Sequence, residues 1–226
     1  MRLNKFISST GYCSRRKADE LIFQGYVTVN RETIFFPGFD VSENDLVEVE
    51  GKLLQNRKNI YLLFYKPINV LTSYDDSRGR RCLKDFEPFS EINLAYSGRL
   101  DYKSEGLIFF TNDGDIVHKL QTPRFKVEKE YEVDVSRNLT FKEKQTLENG
   151  LKTDKFHYLP CRIKLLKDKK YSVILNEGKN RQIRNMFSYL NIEVYRLLRV
   201  RIGGMTIDGL KPGDVRYLEQ NEIKIF

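Results

Sequence analysis

The feature that most constrains this fold is a succession of strand patterns that follow one another as hairpins, with few helices between them. Residues 130–135 alternate strictly between charged and apolar side chains, which predicts a strand with one buried face. The charged turn at 167–170 separates two further strand patterns and predicts a hairpin. Apolar runs at 60–65 and 107–111 predict two buried strands. The sequence therefore predicts an α+β fold with a mixed, mainly antiparallel sheet.

Helix and turn signals lie between these strands. Residues 140–143 are Thr-Phe-Lys-Glu, a capping box that predicts the start of a helix. Gly150 predicts the end of the same helix. Residues 180–190 carry apolar side chains at helical spacing, which predicts a helix with one buried stripe. The segment 112–115, Asn-Asp-Gly-Asp, is typical of a hairpin turn.

The first fifty residues reverse their charge. Up to Arg31 there are six basic and two acidic residues, whereas 32–50 contains six acidic residues and no basic ones. A small module with one basic and one acidic face would explain this pattern. Ser14 is a good helix N-cap, yet the next three residues are all basic and oppose the helix dipole by about 0.3–1 kcal/mol each. Such a helix start, in a chain of net charge +8, favours a phosphate-bearing partner.

Three N-terminal segments resemble the S4 domain, a small RNA-binding module. They are Arg2-Leu-Asn-Lys-Phe-Ile7, Ser14-Arg-Arg-Lys-Ala18 and Gly25-Tyr-Val-Thr-Val-Asn30. The resemblance implies RNA binding through Arg2, Lys5, Ser14, Arg15, Arg16 and Lys17. The polar segment 55–59 predicts a linker, so the predicted organisation is an S4-like α/β module at 1–54, the linker, and a larger domain at 60–226.

Composition excludes several classes of protein. No apolar run approaches the roughly 18 residues of a membrane span, and no apolar segment follows the first residues as in a signal peptide. The three cysteines, Cys13, Cys82 and Cys161, are odd in number and form no CxxC motif. That pattern argues against a disulfide scaffold or a cysteine-rich zinc site. We therefore expect a cytoplasmic protein.

Four constellations could carry chemistry, and each also has an ordinary structural explanation. The segment 97–101, Ser-Gly-Arg-Leu-Asp, reads as a turn before an apolar strand. Arg181 and Arg184 share a helix stripe that is either solvated or aimed at a carboxylate or phosphate. Tyr131 lies on the apolar face of its strand, where most tyrosines are core residues. Residues 196–201 form a basic strand with an apolar centre.

Taken together, these motifs resemble the single-site ribosomal RNA pseudouridine synthases of the RsuA-like family. The matching segments are 98–101 with 105–114, then 129–133, 176–184 and 198–203, and they occur in the family's order. The resemblance implies a pseudouridine-synthase-type catalytic domain that isomerises a uridine within folded ribosomal RNA, without metal or other cofactor. The segments 75–86 and 126–131 favour large-subunit RNA slightly.

The resemblance also implies roles for individual residues. Asp101 is the expected catalytic carboxylate, acting on the uracil ring, on the sugar anomeric carbon or on a ribose proton. Tyr131 is expected to stack on the base and to assist proton transfer, and Arg184 to pair with Asp101 and keep it charged. Because chemistry on a base requires its extrusion from the stack, Arg99 is expected to fill the space left behind. The other expected substrate contacts are Lys66, Arg181 and Leu198, the last as the floor of the base pocket.

Two other classes of function are open from the residues alone. One is a non-catalytic RNA-binding factor in ribosome assembly, in which only the S4-like module has a function. The other is a metal-dependent nuclease that uses Asp101, Glu105, Asp113 and Asp115, since clustered carboxylates can hold two metal ions. For the preferred interpretation the expected partner is ribosomal RNA, with no membrane, and the expected state is a monomer.

Overall fold

The N-terminal module consists of two short helices and a small sheet around their own apolar core. A computed structural model of the chain describes residues 1–42, 44–55, 58–153 and 156–223. The module contains α1 (Leu3–Ser9), α2 (Arg15–Phe23), β1 (Val27–Val29), β2 (Glu32–Thr33), β3 (Val47–Val49) and β4 (Lys52–Leu54). The strands form an antiparallel sheet in the order β2-β1-β3-β4. The predicted helix start is confirmed, since the Ser14 side chain accepts a hydrogen bond from the Lys17 N–H. Two residues of the predicted linker, Asn56 and Arg57, lie outside the described residues.

The larger domain is built on one twisted sheet. Its elements are β5 (Tyr61–Lys66), β6 (Ala95–Tyr96), β7 (Glu105–Thr111), α3 (Gly114–Gln121), β8 (Lys129–Val135), α4 (Phe141–Glu148), β9 (Arg162–Lys167), β10 (Lys170–Leu175), α5 (Gln182–Tyr189), β11 (Val194–Ile202), β12 (Met205–Thr206) and β13 (Val215–Tyr217). The main strand order is β13-β5-β7-β11-β8-β10-β9, while β6 pairs with β7 and β12 with β11. Only the β7–β11 pair is parallel among the described strands. The mixed, mainly antiparallel sheet predicted from the sequence is confirmed.

Local sequence patterns account for several of these elements. The side chains of β8 alternate between buried and partly exposed along the whole strand, as the charge alternation predicts. The predicted hairpin is β9–β10. The capping box predicted at Thr140 and Glu143 starts α4, with both reciprocal hydrogen bonds present. In α5, Ile183, Met186 and Phe187 are buried, so the predicted apolar stripe packs into the core.

The segment 112–115 does not form the predicted hairpin turn. Asp113 instead caps α3, and its carboxylate accepts hydrogen bonds from the N–H groups of Asp115 and Ile116. An Asp-Gly pair suits either a hairpin or a helix start. Here Ile116 and Leu120 pack onto the apolar cluster on that side of the sheet, and this burial selects the helix.

Two features of the sheet matter for the site. Gly106 in β7 has φ +114°, and a Cβ there would lie 2.6 Å from the backbone nitrogen of Arg199 in β11. Glycine therefore lets the two parallel strands approach closely. At one edge of the sheet the short β13 covers β5, whose residues are all buried. Across the described residues, no helix is long and apolar enough to cross a membrane.

Candidate active site

A cleft of about 600 Å³ opens in the larger domain where the loop before β7 faces the turn before α5. It is lined by residues 97–102 of that loop and by residues 178–183 of the turn. Its strand residues come from the neighbouring antiparallel strands β8 and β11 and, with Leu175, from the end of β10. The expected catalytic motif and the expected arginine helix, about eighty residues apart in sequence, therefore face each other.

Hydrogen bonds hold the loop that carries Asp101. The buried Ser97 exchanges two bonds with Phe109 of β7, through its backbone N–H at 2.8 Å and its Oγ at 3.3 Å. The hydroxyl of Thr72 donates to the carbonyl of Leu100 at 2.8 Å and accepts from its N–H at 3.2 Å. The backbone that leads into Asp101 is thus fixed, while its carboxylate is 31% exposed in the cleft.

Asp101 faces Arg181 rather than the expected Arg184. The Arg181 Nη1 lies 3.9 Å from the Asp101 Oδ2. Arg184 donates from Nη1 to the carbonyl of Val194 at 2.7 Å and from Nη2 to the carbonyl of Lys103 at 2.9 Å. The expected direct pairing of Arg184 with Asp101 is therefore corrected. The cause is the helix start: Arg181 adopts a left-handed backbone at the N-cap, next to the cleft, while α5 begins one residue later.

Arg184 remains electrostatically coupled to the loop that carries Asp101. Burial lowers the pKa of its guanidinium, the neighbouring Arg181 lowers it further, and Asp101 opposes both effects. Its two carbonyl contacts tie the end of the Asp101 loop to the start of β11. The structure therefore places Arg184 behind the carboxylate, as a support of the loop.

Tyr131 lies where the sequence predicts, on the buried face of β8 and in the lining of the cleft. Tyr131 as a whole is 7% exposed, and in the strand register it is the partner of Arg199 of β11. Leu198 does not line the cleft, whereas Leu197 does. Successive side chains of a strand point to opposite faces, so a one-residue error exchanges the two leucines. The predicted floor residue Leu198 is corrected to Leu197.

Lys66 is not a substrate contact, contrary to the expectation. Its side chain is fully buried, and its Nζ donates to the carbonyls of Pro67 and Val70 at 2.8 Å each. Burial lowers its pKa to about 8, against the raising effect of Glu105 and then Asp101. Lys66 therefore fastens the loop after β5. Arg99, by contrast, is exposed and lines the cleft as expected.

Sequence reasoning gave no individual role to the two buried cationic residues of the cleft, Lys129 and Arg199, although Arg199 belongs to the basic strand that it singled out. Both line the cleft, and they are 8% and 2% exposed. A signal for each was present. Lys129 continues the alternation that places Tyr131 on the buried face of β8, and Arg199 lies two residues after Leu197 in β11. Strand parity places Lys129 on the face of Tyr131, whereas it places Arg199 in the cleft only once Leu197, and not Leu198, is known to line it.

The carboxylates of the nuclease alternative do not converge. Glu105 accepts a bond from the Arg196 Nε at 2.6 Å, Asp113 caps α3, and Asp115 pairs with Lys5. Within residues 1–42, 44–55, 58–153 and 156–223, no three potential metal-binding side chains come together. Three of the four carboxylates are thus committed to other contacts.

The N-terminal module touches the larger domain at the start of α3. The Lys5 Nζ lies 2.8 Å from the Asp115 carboxylate, and the Asn112 side-chain amide donates to the carbonyls of Ser9 and Lys58 at 3.2 Å each. Lys5, expected to bind RNA, therefore serves as a contact between the two parts of the chain. Its RNA-binding role stays a prediction.

The other expected RNA contacts of the module divide into two groups. Ser14 caps α2, and Lys17 pairs with Glu20 at 3.0 Å. The remaining expected RNA contacts are exposed: Arg2, Arg15 and Arg16. They give the starts of α1 and α2 exposed positive charge.

A family comparison identifies the class of protein that this fold and cleft define. Residues 60–189 match the family described as RNA pseudouridylate synthase, and residues 1–47 match the S4 domain. The first match spans more than half of the chain. The protein belongs to the RNA pseudouridine synthases, isomerases that convert uridine to pseudouridine in RNA.

Individual relatives agree over the whole chain. The ribosomal large subunit pseudouridine synthase B of Bacillus subtilis is 36% identical over 99% of this chain and 94% of its own length. An uncharacterized RNA pseudouridine synthase of Rickettsia typhi is 39% identical over 99% of this chain and 93% of its own. A crystal structure of a pseudouridylate synthase superposes with a TM-score of 0.69 at 28% identity, covering 98% and 97% of the two chains. The fold and the activity expected from the resemblance are confirmed.

Proposed function

We propose that this enzyme isomerises one specific uridine of ribosomal RNA, with large-subunit RNA favoured over small-subunit RNA. The support is the Bacillus subtilis relative, named for the large ribosomal subunit, which matches 99% of this chain. We further propose a cytoplasmic monomer with domains at 1–54 and 60–226, joined by the linker 55–59. The exposed Arg2, Arg15 and Arg16 of its S4 domain provide the surface that captures the RNA.

Asp101 is the proposed catalytic carboxylate. The observation that carries the proposal is its place: a partly exposed carboxylate on a hydrogen-bonded loop, in a cleft with Tyr131 and facing Arg181. The isomerisation breaks the N1–C1′ bond and forms a C5–C1′ bond, so a group must act directly on the base or its sugar. In the described lining of the cleft, Asp101 is the only carboxylate.

The remaining roles follow from position. Tyr131 stacks on the extruded base, and Leu197 forms the apolar floor next to it. Arg181 faces the Asp101 carboxylate, and Arg184 holds the loop from behind. Arg99, exposed beside the cleft, fills the gap that the extruded nucleotide leaves in the RNA.

The experiment is pseudouridine mapping of ribosomal RNA from cells that lack the gene and are complemented with defined variants. Wild type restores one missing pseudouridine, and Asp101→Asn, which keeps the shape but removes the charge, restores none. Asp208→Asn, at an exposed turn away from the cleft, restores it fully. Restoration by the Asp101 variant would contradict the assignment. A missing pseudouridine in small-subunit RNA would contradict the subunit.

Purified protein separates the two alternative classes. An assembly factor binds an unmodified ribosomal RNA transcript and forms no pseudouridine in it. A metal-dependent nuclease cleaves the transcript and stops in excess EDTA. We expect pseudouridine formation without cleavage, at the same rate with and without EDTA.

A further inference from the structure

The three arginines of β11 have different surroundings. The Arg196 Nε lies 2.6 Å from Glu105, and the Arg201 Nε lies 2.9 Å from Glu130. Arg199, between them, has no carboxylate within ion-pair distance in the described part of the chain, although it is only 2% exposed. Its Nε donates to the carbonyl of Leu107 at 2.7 Å. Its Nη2 is buried and has no hydrogen-bond partner among the described residues.

A second buried cation lies beside it. Lys129 also lines the cleft, is 8% exposed, and donates only a long bond of 3.3 Å to the carbonyl of Val127. Burial lowers its pKa to about 8, and the nearby Arg199 is the second cause. Lys129 and Tyr131 share one face of β8, and Tyr131 is in register with Arg199. The two cations therefore flank the ring expected to stack on the base.

Burying a cation without a counter-charge is costly, and burying two side by side adds their repulsion. Such an arrangement is reasonable where a ligand supplies the missing negative charge or acceptor. Ser104 agrees with this, because it belongs to the lining of the cleft and its Oγ is likewise buried without a partner in the described chain. The residues that line the cleft thus include hydrogen-bond donors without partners in the described chain.

We propose that the Arg199 Nη2, with the Lys129 Nζ beside it, binds a carbonyl oxygen of the target uracil and stabilises the negative charge of the detached base. This inference rests on the proposed function. When the N1–C1′ bond breaks, its electron pair stays on the ring and is shared between N1 and the two carbonyl oxygens. The C5–C1′ bond then forms, C5 loses a proton and N1 gains one, so atoms and charge balance. Donors placed on those oxygens lower the barrier to detachment.

The same contact contributes to specificity. Arginine and lysine side chains only donate hydrogen bonds. Uracil presents an oxygen at C4, whereas cytosine presents an amino group that is itself a donor. If the contact is at C4, it favours uridine and leaves a buried donor unpaired against cytidine.

The first test compares two arginines of the same strand. Arg199→Gln is expected to lower the single-turnover rate of pseudouridine formation about 10²–10³-fold, as for the loss of one charge-stabilising donor. RNA affinity should stay within a few-fold of wild type. The matched control is Arg201→Gln, which also removes a donor to a backbone carbonyl but lies outside the lining of the cleft, and its rate should stay near wild type.

The second test uses the base itself. The target uridine is replaced by 2-thiouridine or 4-thiouridine, because sulfur is the weaker acceptor. The wild-type rate should fall with the analogue in which sulfur replaces the oxygen that Arg199 contacts. The rate of Arg199→Gln should be nearly the same with that analogue as with uridine. This non-additivity reports a direct contact, which a merely structural role would not produce.

Two results would overturn the inference: an Arg199→Gln rate within three-fold of wild type, or thio effects of equal size in both enzymes. If Arg199→Gln does not fold, Arg199→Lys and Lys129→Gln are taken through the same cycle with the same criteria. A wild-type enzyme inactive on every ribosomal RNA would instead refute the proposed function. If wild type is active but the effects of the thio substitution and of Arg199→Gln on the rate simply add, this inference is refuted and the proposed function stands.

Discussion

Gly106→Ala should damage both stability and activity, because this glycine sets the distance between β7 and β11. Its φ of +114° is a conformation that alanine rarely adopts. The added Cβ would lie 2.6 Å from the Arg199 nitrogen, whereas ordinary contact begins at 3.4 Å. The neighbouring atoms are backbone, so the parallel strands must move apart. That movement displaces Arg199, which faces the cleft.

The size of the effect follows from two separate costs. A strained backbone conformation costs about 1–3 kcal/mol, and overpacking of a tight interior costs about 1–3 kcal/mol more. We expect a loss of about 4 kcal/mol in the free energy of unfolding, or roughly 10 °C in Tm for a chain of this length. Two other glycines separate the costs. Gly79, at φ +69° in open space, carries only the strain, and Gly114, with nothing within 4 Å and no such φ, carries neither.

The assay is urea or thermal unfolding of the three alanine variants, followed by single-turnover rates at a temperature where each is folded. Stability should fall slightly or not at all for Gly114→Ala, moderately for Gly79→Ala and most for Gly106→Ala. Only Gly106→Ala should also slow the reaction. A Gly106→Ala protein as stable as Gly79→Ala would show that the sheet yields without cost and would refute the reasoning.

Three further predictions concern the cleft and the RNA. Tyr131→Phe should keep RNA affinity but lose about 10²–10⁴-fold in single-turnover rate if the hydroxyl assists proton transfer. Tyr131→Leu should in addition lose about 1–3 kcal/mol of stacking on the base. If the Phe variant reacts at the wild-type rate, another group transfers the proton. The logarithm of RNA affinity should fall linearly with the logarithm of salt concentration, with a slope of about −0.7 to −0.9 per phosphate contacted. The slope for Arg16→Gln should be shallower than that of wild type. An affinity that does not depend on salt would reject electrostatic capture. The pKa of Lys129 is about 8 in the folded protein against the usual 10.5, so the unfolded chain keeps this proton up to a higher pH than the folded protein does. The stability of wild type relative to Lys129→Met should therefore rise by about 1 kcal/mol from pH 8 to 9 in urea titrations, and equal pH profiles would contradict the burial of this charge.

The elements predicted well from the sequence are those whose cause is local. The alternation of β8 requires only a period of two, and the α4 capping box requires only residues three apart. The segment 112–115 was predicted wrongly because its outcome depends on distant packing. Its Asp-Gly pair suits a hairpin equally well until Ile116 and Leu120 find an apolar surface.

The errors in the site have a similar origin. Choosing between Leu197 and Leu198 requires the register of β11, which two irregularities shift along its pairing with β8. Choosing between Arg181 and Arg184 requires the residue at which α5 begins, and helix boundaries are the least defined feature of a sequence pattern. The family motifs placed the right segments in the cleft. Only the three-dimensional structure assigns individual side chains to its faces.

The short edge strand β13 has a consequence for aggregation. It covers β5, whose sequence Tyr-Leu-Leu-Phe-Tyr-Lys is buried along its whole length. An apolar strand with an open row of backbone groups is a template for pairing with other molecules. β13 is only three residues long, largely exposed, and bears Arg216 in an ion pair with Glu222. It therefore presents to solvent a short, charged edge in place of a long apolar one. Detaching β13 from β5 would therefore expose β5 and cause aggregation before the cleft is disturbed.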